Sequence, residues 1–327
     1  MKIQFTHIFE DIISIENLLE AWKEFSRDKR NKKDVQEFER NLMQNIIVLH
    51  QELVAKTYSH ASYEAFNISD PKPRNIHKAS VRDRLLHHAI YRKLYPFFDK
   101  TFIADSYSCR LNKGTHKAIN RFRSFAFKVS KNHTKTCWVL NGDIKKFFVS
   151  IDHNILTKIL VNYIPDKNIL RLIEKVINSF LSTRPGVGLP LGNLTSQLLV
   201  NIYMNEFDQF MKHKLKAKYY IRYADDFVIL SDSKTSLINL IKQIREFLQE
   251  SLKLKLHPKK ISISTIASGV DFLGWVQFPD HRALRSSTKR RMFKKLKKNA
   301  NLAIQNSYLG MLKHGNARNL AKSVTVE

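Results

Sequence analysis

Tyr219-Tyr220-Ile221-Arg222-Tyr223-Ala224-Asp225-Asp226-Phe227-Val228-Ile229-Leu230 reads as two short strands joined by a tight turn, with two carboxylates at the join. Branched and aromatic side chains pack well on a pleated surface, so both flanks favour extended backbone. The join is unusual. Two-residue hairpin turns favour Asn-Gly or Asp-Gly, whose central residues accept positive φ, and Asp-Asp fits that role poorly. An acidic turn without further purpose is the structural alternative, weighed below against the rest of the chain.

Working outward, Cys137-Trp138-Val139-Leu140 is a short apolar strand ending in Gly142-Asp143. Between it and the hairpin, the apolar spacing predicts helix from about His153 to Tyr163 and again through Ile169–Phe180. Beyond the hairpin, Leu237, Leu240, Ile241, Ile244, Phe247, Leu248 and Leu252 mark an amphipathic helix, with Asp232 or Ser233 as its cap. Ile261–Ser264 and Val270–Val276 supply more strand. The order β-α-β-β-α-β is the split-βαβ, ferredoxin-like arrangement, which sets the first strand beside the hairpin at the centre of the sheet. Asp143, Asp225 and Asp226 are therefore expected to converge. Like charges that close are costly unless a cation lies between them. Two Mg²⁺ ions, with Mn²⁺ as a substitute, would resolve the conflict through oxygen ligands. Such a pair, roughly 4 Å apart, is the clamp used for in-line phosphoryl transfer.

The flanks add little chemistry but much charge. Residues 1–60 read as helical, from the stripes Ile12, Ile13, Ile15, Leu18, Leu19 and Phe38, Leu42, Ile46, Ile47, Leu49, Leu53. Residues 61–78 turn extended around Pro71 and Pro73, and helix follows from about Val81 to Phe98. From Arg285 to Glu327 there are eleven Lys or Arg, and the sole acid is Glu327. Lys289, Arg290, Arg291, Lys294, Lys295, Lys297 and Lys298 would repel one another unless phosphates neutralise them. Met292, Phe293, Leu296, Tyr308, Leu309 and Leu312 give this tail apolar anchors, which predicts a folded helical subdomain rather than a loose basic arm.

Over the whole chain of 327 residues, 56 Lys+Arg against 29 Asp+Glu leave a net charge of +27. That surplus points to a polyanion, nucleic acid before an acidic membrane; a lysine-rich solvated face is the bland alternative. Membrane-surface helices need a larger apolar moment than the tail has, and no apolar run approaches the roughly 20 residues of a span. Only 9 Gly and 8 Pro argue against a disordered chain, and 43% hydrophobic residues suffice for a core. Cys109 and Cys137 allow one bridge at most and lack zinc spacing, as expected of a reducing compartment. The N-terminus has no secretory layout, so a cytoplasmic location in a bacterial or phage-encoded setting is expected.

Together these motifs resemble a known family. Tyr223-Ala224-Asp225-Asp226 resembles the YxDD box of reverse transcriptases, and Gly142-Asp143-Ile144-Lys145-Lys146-Phe147-Phe148 their first palm motif. Gly188-Leu189-Pro190-Leu191-Gly192-Asn193-Leu194-Thr195-Ser196-Gln197 is similar to their template-and-nucleotide loop. Phe272-Leu273-Gly274-Trp275 resembles the primer grip, and Ser307-Tyr308-Leu309-Gly310 a bacterial thumb. Lys72-Pro73-Arg74, Arg82-Asp83-Arg84, Ser108-Cys109-Arg110 and Lys113-Gly114 resemble the fingers motifs of group II intron enzymes and their relatives. The ordered set runs from about residue 60 to the C-terminus.

The resemblance implies an α+β, right-hand polymerase fold with fingers, a ferredoxin-like (split βαβ) palm and a short helical thumb. Its expected domains are a helical extension over 1–60, fingers over 61–136, palm over 137–283 with 164–200 returning to the fingers/palm junction, and a basic helical thumb over 284–327. Asp143 and Asp225 would bridge both metals, Asp226 would support them, and Ile144 would lend a carbonyl. Lys260, or its neighbour Lys259, would protonate leaving pyrophosphate. Lys72 and Arg74 would clamp triphosphate oxygens, Phe148 would exclude a 2′-hydroxyl, and Leu191 and Gly192 would line the nucleotide. Phe147 is the alternative gate, since spacing does not say which ring faces the site. Ser196, Gln197, Tyr223, Phe272, Leu273, Gly274, Lys294 and Lys298 would meet template or primer.

One loop narrows the resemblance. Most family members read Gln-Gly-x-x-x-Ser-Pro where this chain has Leu191-Gly192-Asn193-Leu194-Thr195-Ser196-Gln197. Leu for Gln and Gln for Pro are similar to the enzymes of diversity-generating retroelements, which copy a template repeat with errors at adenines. The implied partners are template RNA, cDNA primer, deoxynucleoside triphosphates and a small basic oligomeric accessory protein. A retron or antiphage-defence reverse transcriptase is the alternative, and a catalytically silent RNA-binding scaffold a third. The silent scaffold would be marked by loss of one of the three aspartates, and all are present.

Overall fold

The acidic hairpin forms as two strands of a four-stranded antiparallel sheet, ordered β4-β5-β3-β6 in the computed structural model. The structure describes residues 3–69, 73–180, 182, 184–299 and 301–325. The chain opens with α1 (Phe9–Ile13), α2 (Ile15–Ser26), α3 (Lys33–Arg40) and α4 (Leu42–Val54). Next come β1 (Glu64–Ile68), β2 (Arg74–Lys78), α5 (Val81–Asp99) and α6 (Thr115–Val129). The centre holds β3 (Trp138–Asp143), α7 (His153–Val161), α8 (Lys167–Asn178), α9 (Leu194–Gln209), β4 (Tyr220–Tyr223) and β5 (Asp226–Ser231). Then follow α10 (Lys234–Leu252), β6 (Ser262–Thr265), β7 (Val270–Phe272), β8 (Trp275–Gln277) and β9 (Arg282–Leu284). Three helices close the chain: α11 (Ser286–Lys298), α12 (Leu302–Leu312) and α13 (Arg318–Thr325).

Two compact units divide these elements. One comprises residues 1–103, 145–209 and 247–255; the other comprises 104–144, 210–246 and 256–327. In the first, the N-terminal helices are held by α5 and α8. Asn17 donates from its buried amide to Ile12 O (2.7 Å) and Ala89 O (3.1 Å), and Phe9 N–H reaches the Asp166 carboxylate at 2.7 Å. Helix α9 is buried on nearly every side, from Thr195 through Asp208.

The second unit holds the ferredoxin-like sheet. β3 pairs with β5 on one side and β6 on the other, so it is central, as the βαββαβ order predicts. Beneath it lies one apolar core, in which Ile119, Phe122 and Phe125 of α6 meet Val139, Ile221, Val228 and, from the C-terminal helices, Met292 and Leu312. Ser233 caps α10, its hydroxyl accepting from Ser236 N–H at 3.2 Å. Two strand readings are refined. Val270–Val276 is not one strand but the hairpin β7–β8, because Leu273 (φ +52°) and Gly274 (φ +86°) form a turn with positive φ at both central positions. Asp226 begins β5 opposite Tyr223, so the acidic turn itself is Ala224-Asp225, with Ala224 at φ +55°.

Candidate active site

The register of the sheet places the acids. Asp143, last residue of β3, stands opposite Asp226, first residue of β5. One step back, Gly142 faces Phe227, and a Cβ on Gly142 would lie 2.2 Å from the Phe227 ring. Only glycine lets that ring cover the strand beneath the acids. The turn is tied to β3 as well, since Ile144 N–H donates to Asp225 O at 3.2 Å. His257 N–H donates to Asp143 O at 2.8 Å and fixes the strand end from the β6 side.

Charge at this point is finely opposed. Asp143 is only 6% exposed, and Lys260 Nζ donates to its Oδ2 at 2.6 Å. Lys260 is thus the lysine that reaches the carboxylates, whereas neighbouring Lys259 uses its backbone N–H on His257 Nδ1. Burial alone would lower the Lys260 ammonium; the Asp143 hydrogen bond and charge, then Asp226 and Asp225, hold it above its ordinary value. Asp226 is exposed by surface area, yet the protein packed around its carboxyl still penalises charge. That desolvation, then the charge of Asp225 and the hydrogen bond and charge of Asp143, push it up to about 7.

Arg222, which the sequence reading passed over, supports the turn from below. It is 1% exposed, and its guanidinium donates to Ala224 O at 3.2 Å and Ser106 Oγ at 3.1 Å. Its backbone is bonded to Asp105 O and Tyr107 N–H, each at 3.0 Å. The signal was present: an arginine in the middle of Tyr-Tyr-Ile-Arg-Tyr is a cation on a strand that must enter the core. Tyr223 beside it is half-buried, and its hydroxyl accepts from Thr115 Oγ1 at 3.1 Å.

In the other unit, the Leu191 loop lies against β2. Leu191 O accepts from His77 N–H at 3.1 Å, and a Cβ on Gly192 would sit 2.9 Å from Ile76. Arg74, exposed on β2, shares this assembly; Lys72 lies outside the described residues. Phe148 O accepts from Leu189 N–H at 2.8 Å, and the Phe148 ring is half-buried whereas Phe147 is 4% exposed. Phe148 is thus the more open ring of the pair. Ser196 is 2% exposed inside α9, and Gln197 is half-buried one residue on.

Comparison with known proteins gives these motifs a context. Residues 68–276 match the reverse transcriptase (RNA-dependent DNA polymerase) family. The chain belongs to that family. It is 27% identical over 259 residues to Protein YkfC of Escherichia coli (strain K12), covering 68% of this chain and 66% of that protein. It is 24% identical over 301 residues to the group II intron-encoded protein LtrA of Lactococcus lactis subsp. cremoris, covering 72% of this chain and 48% of that one. The chain therefore spans less than two thirds of the length of these relatives. A structure of apo telomerase from Candida tropicalis, truncated from its C-terminal domain, superposes with a TM-score of 0.51 at 12% identity over 74% of this chain and 60% of that chain. That likeness shows the right-hand polymerase architecture.

Among the described residues no three acid, histidine or cysteine side chains stand around one point. Asp143 and Asp226 meet, and the charge of Asp225 acts on the Asp226 carboxyl from the adjoining turn, whose backbone oxygen accepts from Ile144 N–H. The crowding is partly offset: Lys260 pairs with Asp143, while the neighbouring carboxylates raise the Asp226 carboxyl. The donors nevertheless fit a hard cation. The carboxylates of Asp143 and Asp226 are oxygen donors, and the carbonyl of the next residue, Ile144, accepts no backbone hydrogen bond among the described residues.

The basic tail folds as predicted into helices. On α11, Met292 is fully buried and Phe293 and Leu296 pack on the core, while Lys294, Lys295, Lys297 and Lys298 are exposed. Replacing these four lysines by glutamine is expected to weaken binding of every RNA sequence alike. The slope of log affinity against log salt should flatten by roughly one counterion per lost phosphate contact. Filter binding across a salt series measures it; an unchanged slope means that this face meets no phosphates.

Proposed function

We propose that this chain is an RNA-directed DNA polymerase that copies inaccurately at template adenines, as in a diversity-generating retroelement. The observation that carries the polymerase reading is the Asp143–Asp226 contact at the end of a central strand, with Asp225 on the adjoining turn and a lysine ammonium on Asp143. Asp143 and Asp225 would bridge the Mg²⁺ ions, with Asp226 supporting them and the Ile144 carbonyl as a further oxygen donor. Once bound, the ions would supply the positive charge that favours a 3′-alkoxide and stabilises the departing pyrophosphate. Lys260 would hold a proton for that leaving group. Arg74 and Lys72 would bind triphosphate, Phe148 would exclude a 2′-hydroxyl, and Leu191 and Gly192 would pack on the nucleotide. Primer extension on a defined RNA template with deoxynucleotides and Mg²⁺ tests the proposal; wild-type protein that extends nothing would sink it.

The finer assignment rests on Leu191 and Gln197. A glutamine at the first position would hydrogen-bond near the sugar and base, and leucine forgoes that contact. Fidelity is a difference in transition-state binding, so a missing contact of about 1 kcal/mol relaxes selection several-fold. Adenine and uracil pair through only two hydrogen bonds, which leaves them more dependent on protein contacts than guanine or cytosine, and the retroelement resemblance points to adenine of the two. Misincorporation is therefore expected opposite template adenine, with several-fold rescue by Leu191→Gln. Sequencing cDNA from both variants on one template measures it, and equal adenine error rates would remove Leu191 as the determinant. The partners proposed with this reading are template RNA, cDNA primer and a small basic oligomeric accessory protein.

A further inference from the structure

Helix α6 turns Ala118, Ile119, Phe122 and Phe125 into the core and leaves a second stripe outside it. Asn120, Arg123, Ser124 and Phe127 follow one another at helical spacing on that outer face, and they line a cavity of about 610 Å³. Phe127 is 48% exposed, a large aromatic surface left in water. The opposite wall comes from β9, where Arg282 is only 5% exposed.

Arg282 is an odd residue to bury. Its Nη1 donates to Asn120 Oδ1 at 3.0 Å, but no carboxylate pairs with it among the described residues. Burial first, and the nearby Arg123 second, hold its guanidinium below the ordinary value. Directly across the strand register stands Gln277, 2% exposed, whose Nε2 finds no hydrogen-bond partner among the described residues. Cross-strand partners project to one face of a sheet, so a buried cation and a buried amide donor stand together without an anionic acceptor. Each costs stability unless something accepts from it. The one acid in the lining, Asp280, has its carboxylate on His281 Nδ1 at 2.9 Å, and Arg123 Nη2 takes only its backbone oxygen, at 3.2 Å.

We propose that this cavity binds a phosphate of a single-stranded polynucleotide, held by Arg282 and Arg123, with a base stacked on Phe127. Guanidinium groups match phosphate oxygens in geometry, and every base offers a face to an exposed ring. None of these residues belongs to the carboxylate site, so the strand bound here is engaged apart from the reacting end.

The test is photo-crosslinking of a 5-iodouridine-substituted oligouridylate to the full chain, without nucleotide or divalent metal, followed by peptide mapping. A crosslink at Phe127 is expected, and Arg282→Gln or Arg123→Gln should each lower its yield about tenfold with other crosslinks unchanged. Should Arg282→Gln fail to fold, Arg123→Gln, on the exposed face, carries the comparison alone. No crosslink at Phe127, or one indifferent to both arginines, overturns the proposal. Melting in inorganic phosphate against chloride at equal ionic strength adds a second arm: stabilisation by phosphate without the crosslink would mean a free-anion site and overturn the polynucleotide assignment. Asp225→Asn should crosslink like wild type, which separates failure of this site from failure of the polymerase proposal.

Discussion

Asp225→Asn is expected to abolish Mg²⁺-dependent primer extension, by on the order of a thousandfold or more, while RNA affinity stays within about twofold. The substitution keeps the shape of a turn whose backbone oxygen accepts from Ile144 N–H, so the hairpin has no reason to unfold. What it removes is one negative charge from the site proposed to hold Mg²⁺. Asp143→Asn should be as damaging to extension, and it also strips Lys260 of its carboxylate partner. Extension and RNA binding are to be measured side by side on one preparation. Full extension by Asp225→Asn would end the metal-assisted chemistry proposed for these carboxylates.

Asp226 adds a pH dependence with a definite sign. Its carboxyl is pushed from the ordinary 3.8 up to about 7, so the folded metal-free protein holds that proton more tightly than the unfolded chain does. Stability from this group is therefore complete below the ordinary value and is lost as pH rises through about 7. Melting temperature without divalent ions should fall across that window, and Asp226→Asn should flatten the fall. Mg²⁺ added above the window should restore the wild type but not Asp143→Asn. A wild-type melting temperature that ignores both pH and Mg²⁺ would show that the carboxyls do not crowd one another.

Much of this was legible before any coordinates. The central strand and the acidic hairpin follow from short apolar runs ended by charge, and helix α10 with its Ser233 cap and the basic helix α11 from spacing that separates a wet face from a dry one. Helix α9 had no such contrast. Its residues from Thr195 to Asp208 are buried almost all round, and a helix without a wet face shows no stripe. Helix α6 was different: Ala118, Ile119, Phe122, Phe125, Ala126 and Val129 do form a stripe, but four Lys and Arg interleaved with them dilute it. Site residues followed the same division. Asp143, Asp226 and Lys260 are announced by their place at strand ends, where folding alone would not choose charge. The balance among them depends on where the Lys260 ammonium settles, and spacing carries no information about that.

Arg222 shows what a sequence motif leaves out, and its replacement should have the second-largest effect. The acidic turn needs Ala224 at φ +55°, a conformation that residues with a side chain adopt reluctantly. Arg222 helps to hold it there by donating to Ala224 O while its second nitrogen grips Ser106 Oγ, so one rigid fork spans the turn and the strand partner beside it. A lysine brings one point charge and cannot make both bonds with that geometry. Arg222→Met leaves the buried Ser106 hydroxyl and the half-buried Ala224 carbonyl without this donor, at a cost of about 3 kcal/mol. Extension should fall on the order of a hundredfold for Arg222→Met and less for Arg222→Lys. The loss should lie in kcat, with the deoxynucleotide KM nearly unchanged, because Arg222 acts by positioning Asp225 and Asp226 rather than by touching substrate. Urea unfolding run in parallel separates this from simple loss of folded protein: the kcat deficit must persist at urea-free conditions where both variants are fully folded. If folded Arg222→Met extends primers at the wild-type rate, the turn keeps its shape without the arginine, and the sheet register alone places the acids.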